Sequence, residues 1–528
     1  MKSNRTAVVL DGTAGLGLIL GNYLANHGYL VAALGALPQF DMAREKSSLD
    51  VSSDLYIVET DLSRPESFRE KMREAYELIG PIDVLINASD FAAPTSLVAF
   101  SPEQWKAIIE RDLTAPFFAS VAVADFMRPE GGTILNLSSV RAKLAAKAQA
   151  AYSAAKAGVA AMTRDLAADL GRKGIKVNSL RLPELASGIG LSHPTTDDIC
   201  ETVGFLISDQ ATMSIDAFDF PLDDGVTFLR QPGDQDKPWD FEEFTKGFGE
   251  ATPEVQKSSQ VAIVTGAAGG LGKDLALHLV RQGIRCVLLD VLDDEGRKAA
   301  AEARTFAQAE YFSCDISSLE DIQKTVARVS ERFGRIDILF NAAAVTSRKR
   351  TPDISEEDWE RFMEIDLKGP YFLSLEAARV MSKTGGGRII NFSSMLSTLA
   401  HGRHSLYGSA KEALNSMTRT MAVALSPLDI QVFSVLPAYV MTPMTLFRLQ
   451  DEEWLVRNYR QSLSKVLLYP EHVSDVFCHL ATSQTRATSG QKIYVDTGYM
   501  NVRHKLVPWD DPRESARRDM ERGAMSKS

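Results

Sequence analysis

Two doubly wound α/β domains in tandem, each built on a parallel sheet, are the fold that the sequence predicts, and three observations predict it. Short apolar runs such as Val84-Leu85-Ile86, Ile134-Leu135, Ile336 to Phe340 and Ile389-Ile390 alternate with amphipathic helical stretches. Strands that are apolar without interruption are buried on both faces, and alternation with helices places them in a parallel sheet covered on both sides. A glycine-rich turn follows the first apolar run of each half. The third observation is a repeat of half the chain: Asp61 answers to Asp315, Asn87 to Asn341, Asp112 to Asp366, Ser139 to Ser394, Tyr152 to Tyr407 and Lys156 to Lys411, always 254 or 255 positions apart. A unit this long is a duplicated domain and not a solenoid repeat.

Taken in order, Ala7-Val8-Val9-Leu10 reads as a buried strand, Asp11 to Gly17 as the turn, and the pattern through Leu24, Ala25 and His27 as a helix. Val261 to Val264, the turn Thr265 to Gly272 and a second helix repeat it. The first domain is placed at 1–230, and a linker rich in Asp, Glu, Gly, Pro and Lys at 231–258. The second domain and its tail take 259–528. Pro238-Trp239-Asp240 and Pro508-Trp509-Asp510 lie at similar distances beyond the last strand signals, so the tails belong to the repeat. Each tryptophan is expected to pack on its own domain, as isolated Trp residues do.

Composition bounds the partners. The 528 residues are 45% hydrophobic and 24% charged, the balance of a globular protein with more than one core. The net charge of -11 without a sustained basic run excludes nucleic acid and anionic membrane as main partners. Cys200, Cys286, Cys314 and Cys478 are scattered, with no metal-ligand spacing and no disulfide framework. No segment reads as a secretory signal or a membrane span, so a soluble, cytoplasmic protein is expected.

The second half carries a consistent chemistry. Glycines between a buried strand and a helix let the backbone approach a pyrophosphate at the helix N-terminus. Asp290, closing the run Cys286 to Asp290, can accept hydrogen bonds from an adenosine ribose and would repel a 2′-phosphate, which points to NAD over NADP. Asp315-Ile316 and Asn341 close the next two strands, at the carboxyl edge where cofactors lie. Tyr407 and Lys411 stand four apart on one helix face, so that the ammonium favours the ionised phenol.

With these residues in place, the second half resembles the short-chain dehydrogenase/reductase family over its whole length, and the first half is similar but altered. The family's glycine motif stands as Thr265, Gly266, Gly270, Leu271 and Gly272, its Ser-Tyr-Lys set as Ser394, Tyr407 and Lys411, and its segment after the sixth strand as Pro437 to Pro443 with Thr442. Asp366 occupies the place of its usual asparagine. The resemblance implies Rossmann-type domains and hydride transfer between NAD and a secondary alcohol or ketone. Tyr407 would exchange the proton, Lys411 would depress the tyrosine pKa and hold the nicotinamide ribose, and Ser394 would bind the reacting oxygen. Asp290, Asp315, Ile316, Asn341, Pro437 and Thr442 would line the cofactor. It further implies an intrachain pseudo-dimer and a homodimer of chains.

The first half keeps Ser139, Tyr152 and Lys156, but Asp11 stands where Gly266 does and Gly35 where Asp290 does. Its segment from Pro183 to Phe205 is shorter than that from Pro437 to Leu480, as if the substrate cover had been deleted. A structural partner with a relict triad is the expectation, a second nucleotide site the alternative. His401, Arg403, His404 and Arg348-Lys349-Arg350 flank the second site and suggest a small polar or anionic substrate, covered by the amphipathic segment Met444 to Val466. Two rival readings are a 3-oxoacyl-thioester reductase and, in another class, a nucleotide-responsive scaffold.

Overall fold

The computed structural model describes residues 5–36, 52–91, 101–144, 149–182, 196–208, 219–221, 260–347, 349–399, 403–442, 468–482 and 489–496. The linker 231–258, Trp239 and Trp509, Pro183, Arg348, His401, Pro443 and the cover Met444 to Val466 lie outside the described residues.

The first copy forms β1 (Arg5–Leu10), β2 (Tyr29–Gly35), β3 (Leu55–Glu59), β4 (Val84–Asn87), β5 (Gly132–Ser139), β6 (Ile175–Leu182) and β7 (Asp219–Pro221). They pair in the order β3-β2-β1-β4-β5-β6-β7, every pair parallel. The second copy forms β8 (Val261–Thr265), β9 (Arg285–Asp290), β10 (Ala309–Ser313), β11 (Ile338–Asn341), β12 (Gly387–Phe392), β13 (Ile430–Pro437) and β14 (Lys492–Val495). Their order, β10-β9-β8-β11-β12-β13-β14, is the same and again all parallel. The strand order reverses between β1 and β4, and between β8 and β11, which opens a crevice at the carboxyl ends of those strands. The fold class is therefore as the sequence predicts.

Helices cover the sheets. In the first copy these are α1 (Gly15–Asn26), α2 (Phe68–Ile79), α3 (Pro102–Ile109), α4 (Ala115–Val123), α5 (Ala150–Leu170) and α6 (Thr196–Leu206). In the second they are α7 (Gly270–Arg281), α8 (Asp293–Ala303), α9 (Leu319–Phe333), α10 (Glu356–Met363), α11 (Gly369–Met381), α12 (Ser405–Leu425) and α13 (Pro470–Thr482). Buried Phe68, Met72, Ala75 and Ile79 give α2 its apolar stripe, and Ile322, Val326, Val329 and Phe333 give α9 the same one. Ser318 starts α9 by accepting from the Asp321 amide at 3.2 Å, and Gly334, with φ of 74°, ends it. No helix among the described residues is long and apolar enough to cross a membrane.

One feature of both sheets is absent from the motif reading. Asp83 accepts from the backbone N–H of Thr6 at 2.8 Å and pairs with Arg128. Its counterpart Asp337 accepts from the N–H of Val261 at 2.7 Å and pairs with Arg335. Each carboxylate thus fastens the start of the fourth strand to the start of the first, opposite the crevice.

Backbone contacts divide the described chain into two compact units whose limits do not follow the repeat. The first gathers the described parts of 1–240 with 346–362 and 396–420; the second gathers those of 241–345, 363–395 and 421–528. Inside the first unit, Trp359 is 1% exposed, donates to Thr114 Oγ1 at 2.7 Å and lies 4.3 Å from the Phe117 ring. Arg164 donates to the carbonyl of Ser397 at 2.7 Å, and Arg419 donates to the carbonyl of Ala142. These two bonds are one contact made twice, since Arg164 with Arg419, and Ala142 with Ser397, are equivalent positions of the repeat.

In the second unit, α7 and α13 meet in a polar cluster. Asp274 accepts from Ser474 Oγ at 2.7 Å and lies 3.3 Å from His278 Nδ1, while His278 Nε2 lies 3.7 Å from Asp475. The hydrogen bond to Asp274 raises the His278 pKa above its ordinary value of 6.5. A raised histidine pKa gives stability that is fully present below the unfolded value and lost as pH rises through the folded one. His278→Gln is accordingly expected to destabilise the protein more at pH 6 than at pH 8.5 in urea titrations; an equal cost at both pH values would refute the linkage.

Candidate active site, present in two forms

In the second copy the turn after β8 is pressed against the end of β11. Gly266 has φ of 65°, and a β-carbon there would fall 2.8 Å from Ala343 Cα. A β-carbon at Gly272 would fall 2.3 Å from the Gly266 carbonyl oxygen. Only glycine allows this approach. Thr265 Oγ1 accepts from the amides of Ala342 and Ala343, both at 2.9 Å, which locks the two strand ends together. Leu271 is partly buried against the core of its copy.

Asp290 closes β9 beside this turn. Its carboxylate accepts from the amides of Ala268 at 3.0 Å, Val291 at 2.8 Å and Leu292 at 3.1 Å. Three amides fix its orientation, and a carboxylate has about four acceptor positions, so capacity remains for a ribose hydroxyl. Asp315 instead builds a turn, accepting from Ser317 N at 2.9 Å and Ser317 Oγ at 2.7 Å, and Ile316 behind it is buried. Asn341 donates to Asn391 Oδ1 at 2.7 Å and to Ser374 Oγ at 3.0 Å, bracing the ends of β11, β12 and α11. Pro437 closes β13, and the Thr442 amide donates to the Val440 carbonyl at 2.9 Å.

Asp366 is fully buried within a single wide helical turn, Glu364–Lys368, and accepts from the Val345 amide at 3.1 Å. Ser394 follows β12 and is 9% exposed. Tyr407 and Lys411 share a face of α12, the buried ammonium 5.5 Å from the ring centre. Two of the cations expected to await a substrate anion are committed elsewhere: Lys349 pairs with Asp358 and Arg350 with Asp353.

The first copy repeats this frame and fills it differently. Lys156 again lies 5.5 Å from the centre of the Tyr152 ring, on α5. Asp112 again sits in a wide turn, Glu110–Thr114, and accepts from the Phe91 amide at 2.9 Å. However, the Tyr152 hydroxyl donates to Asp90 at 2.6 Å, and Lys156 donates to the Ser89 carbonyl while lying 3.7 Å from Asp90 and 3.8 Å from Asp112. Burial, reinforced by the Asp90 and Asp112 carboxylates, holds the Tyr152 phenol well above its ordinary pKa. Burial also pushes Asp112 up to about 6, against the pull of Lys156.

Asp11 takes the left-handed conformation of Gly266, with φ of 58°, and its carboxylate is gripped by Arg111 at 2.8 and 3.0 Å. A β-carbon at Gly35 would fall 2.4 Å from Thr13 Oγ1, which donates to the Ala36 carbonyl at 2.9 Å. Asp90, Arg111 and Thr13 were not among the residues singled out by motif. The signal was nonetheless present, because the second copy carries Ala344, Ile365 and Ala268 at the equivalent positions.

Residues 5–192 match the family model described as short chain dehydrogenase, and residues 266–500 match the one described as Enoyl-(Acyl carrier protein) reductase. The chain is 32% identical over 249 residues to the NAD-dependent glycerol dehydrogenase of Listeria innocua, covering 46% of this chain and 94% of that protein. It is 33% identical over 248 residues to the trans-4-hydroxycyclohexanecarboxylate dehydrogenase of Sinomonas cyclohexanicum, covering 46% and 93%. It is 29% identical over 245 residues to the 3-oxoacyl-[acyl-carrier-protein] reductase of Thermotoga maritima, covering 45% and 97%.

The Thr265 hydroxyl carries the junction between turn and strand. Thr265→Val removes the acceptor of two amides and is expected to cost about 1–3 kcal/mol in urea unfolding. Thr265→Ser keeps the acceptor and should cost less; equal losses would show that packing of the methyl, and not the hydroxyl, matters.

Proposed function

The chain belongs to the short-chain dehydrogenase/reductase family, an enzyme acting on CH–OH groups that carries its domain twice, and from that premise we propose that it is NAD-dependent and works through its second copy. The observation that carries this reading is the oriented Asp290 carboxylate beside an intact glycine turn. A fixed negative charge there has room to accept from a ribose hydroxyl of NAD and repels the 2′-phosphate of NADP.

Gly266, Gly270 and Gly272 would bring backbone N–H groups to the pyrophosphate. Asp290 would hold the adenosine ribose, and Pro437 and Thr442 would flank the nicotinamide. When bound, NAD supplies the acceptor for the substrate hydride. Tyr407 takes the hydroxyl proton during oxidation and returns it during reduction. Lys411 keeps the phenol ionisable at lower pH and holds the nicotinamide ribose, and Ser394 donates to the reacting oxygen. Asp366 stands where the family has an amide; a carboxylate when ionised accepts hydrogen bonds without donating any, so it would serve a relay differently.

We assign the substrate to small polar secondary alcohols of the polyol, sugar or hydroxy-acid type. Similarity to a glycerol dehydrogenase and to a hydroxycyclohexanecarboxylate dehydrogenase supports that class. The pairing of Lys349 and Arg350 favours neutral polyols over anions within it. Similarity to a 3-oxoacyl-[acyl-carrier-protein] reductase keeps thioester reduction as the second reading, and Asp290 counts against the NADPH expected for such reductions.

Initial rates of NADH formation across polyols, sugar acids and 3-hydroxyacyl thioesters test the class, and turnover confined to thioesters would overturn it. Tyr407→Phe is expected to lower kcat by about 10²–10⁴-fold, the range of general acid–base catalysis, while Tyr152→Phe leaves it within a factor of two. The opposite pattern would move the chemistry to the first copy. Asp290→Ala should erode the preference for NAD over NADP at least tenfold; an unchanged preference would remove its assigned role.

A further inference from the structure

Taking the second copy as the dinucleotide site, we infer that the first copy is closed to dinucleotides by its own side chains, so that one chain binds one cofactor molecule. Four replacements, each of a small or neutral residue of the second copy, fall at the three places where a dinucleotide would need room or charge.

At the adenosine end, Thr13 stands for Ala268. Its hydroxyl is tied to the Ala36 carbonyl and occupies the space in which any side chain at position 35 would begin. Position 35 of the first copy therefore offers no ribose acceptor and has no room for one. At the pyrophosphate, Asp11 stands for Gly266 and Arg111 for Ile365. Their paired contact at 2.8 and 3.0 Å joins the turn after β1 to the wide turn that follows α3, and the guanidinium also lies 5.0 Å from the Phe91 ring centre. A pyrophosphate would have to part this pair and then lie beside the Asp11 carboxylate.

At the nicotinamide end, Asp90 stands for Ala344. It takes the Tyr152 hydroxyl at 2.6 Å, while the Lys156 ammonium is spent on the Ser89 carbonyl and two carboxylates. The ammonium that would hold ribose hydroxyls is already satisfied. The tyrosine is kept as a phenol where the chemistry needs a phenolate. Tyr152 and Lys156 are thus buried members of a structural network that reaches the surface at Asp90, and their persistence in the chain follows from the cost of leaving either of them unpartnered.

The experiment counts cofactor on the full chain by calorimetric titration with NADH and, separately, NADPH. One equivalent of whichever dinucleotide binds is expected, and two equivalents of either would overturn the inference. Binding of NADPH alone, still at one equivalent, would defeat the NAD reading and leave the first copy closed. Gly266→Asp, which imports the first copy's replacement into the second, should reduce the count from one to zero; a retained equivalent would place the bound molecule in the first copy and overturn the inference. In the converse variant, Asp11→Gly, Arg111→Ile, Thr13→Ala and Asp90→Ala are combined. It should gain a second, weaker equivalent, and a variant of unchanged circular dichroism and melting temperature that still binds one would show that these residues are not what closes the site.

Discussion

Both copies depend on one close approach, that of the turn after the first strand to the end of the fourth. In the second copy the approach is made by backbone alone: Gly266 lies against Ala343, and Thr265 binds two amides across the gap. A side chain at Gly266 would run into the Ala343 backbone. With the gap closed this way, the crevice at the switch in strand order presents the main chain of the turn and the Asp290 carboxylate, which suits an anionic dinucleotide with free ribose hydroxyls.

The first copy solves the same junction differently. Asp11 adopts a left-handed conformation that aspartate reaches more readily than most non-glycine residues, and Arg111 holds its carboxylate in place. Asp90 works in the same direction. It converts an acid–base pair into a four-membered network of Tyr152, Lys156, Asp90 and Asp112, in which every charge has an opposite neighbour. Such a network is stable as a whole and expensive to break in part, because removing one partner strands another in a buried place.

Much of this was legible in the sequence. The repeat offset, the parallel sheets, the glycine turn and the shared face of Tyr407 and Lys411 all follow from patterns that have a period or a fixed spacing. Of the closing residues Asp11 was legible, as the replacement for a motif glycine, but the pairings were not, since Asp11 meets Arg111 a hundred positions away and Asp90 meets Tyr152 sixty-two away; no spacing rule reaches that far. The pairing of Lys349 and Arg350 with Asp358 and Asp353 was within reach, since the acidic partners stand nine and three positions further along the chain. The wide turns holding Asp112 and Asp366 insert one residue into an otherwise ordinary helical pattern, which blurs the period without announcing a break.

The helix that carries Tyr407 shows why a closed copy can still matter to an open one. Within the first compact unit, Asp169 of α5 accepts from the Thr351 amide at 3.3 Å and from its hydroxyl, and Thr351 Oγ1 lies 3.0 Å from Ser405 Oγ, two residues before Tyr407. Asp165, one turn earlier on α5, stands so near that a β-carbon at Gly408 would fall 2.8 Å from its carboxylate. Arg164 secures Ser397 on the loop that leads to the same helix. Residues of α5 therefore pack against the first turn of α12 and hold the segments beside it, where an error of an ångström would misplace the phenol. The residues of α5 that make these contacts are neither the triad nor the closing set, so the first copy can lose its own cofactor site while every side chain that braces Tyr407 stays in place.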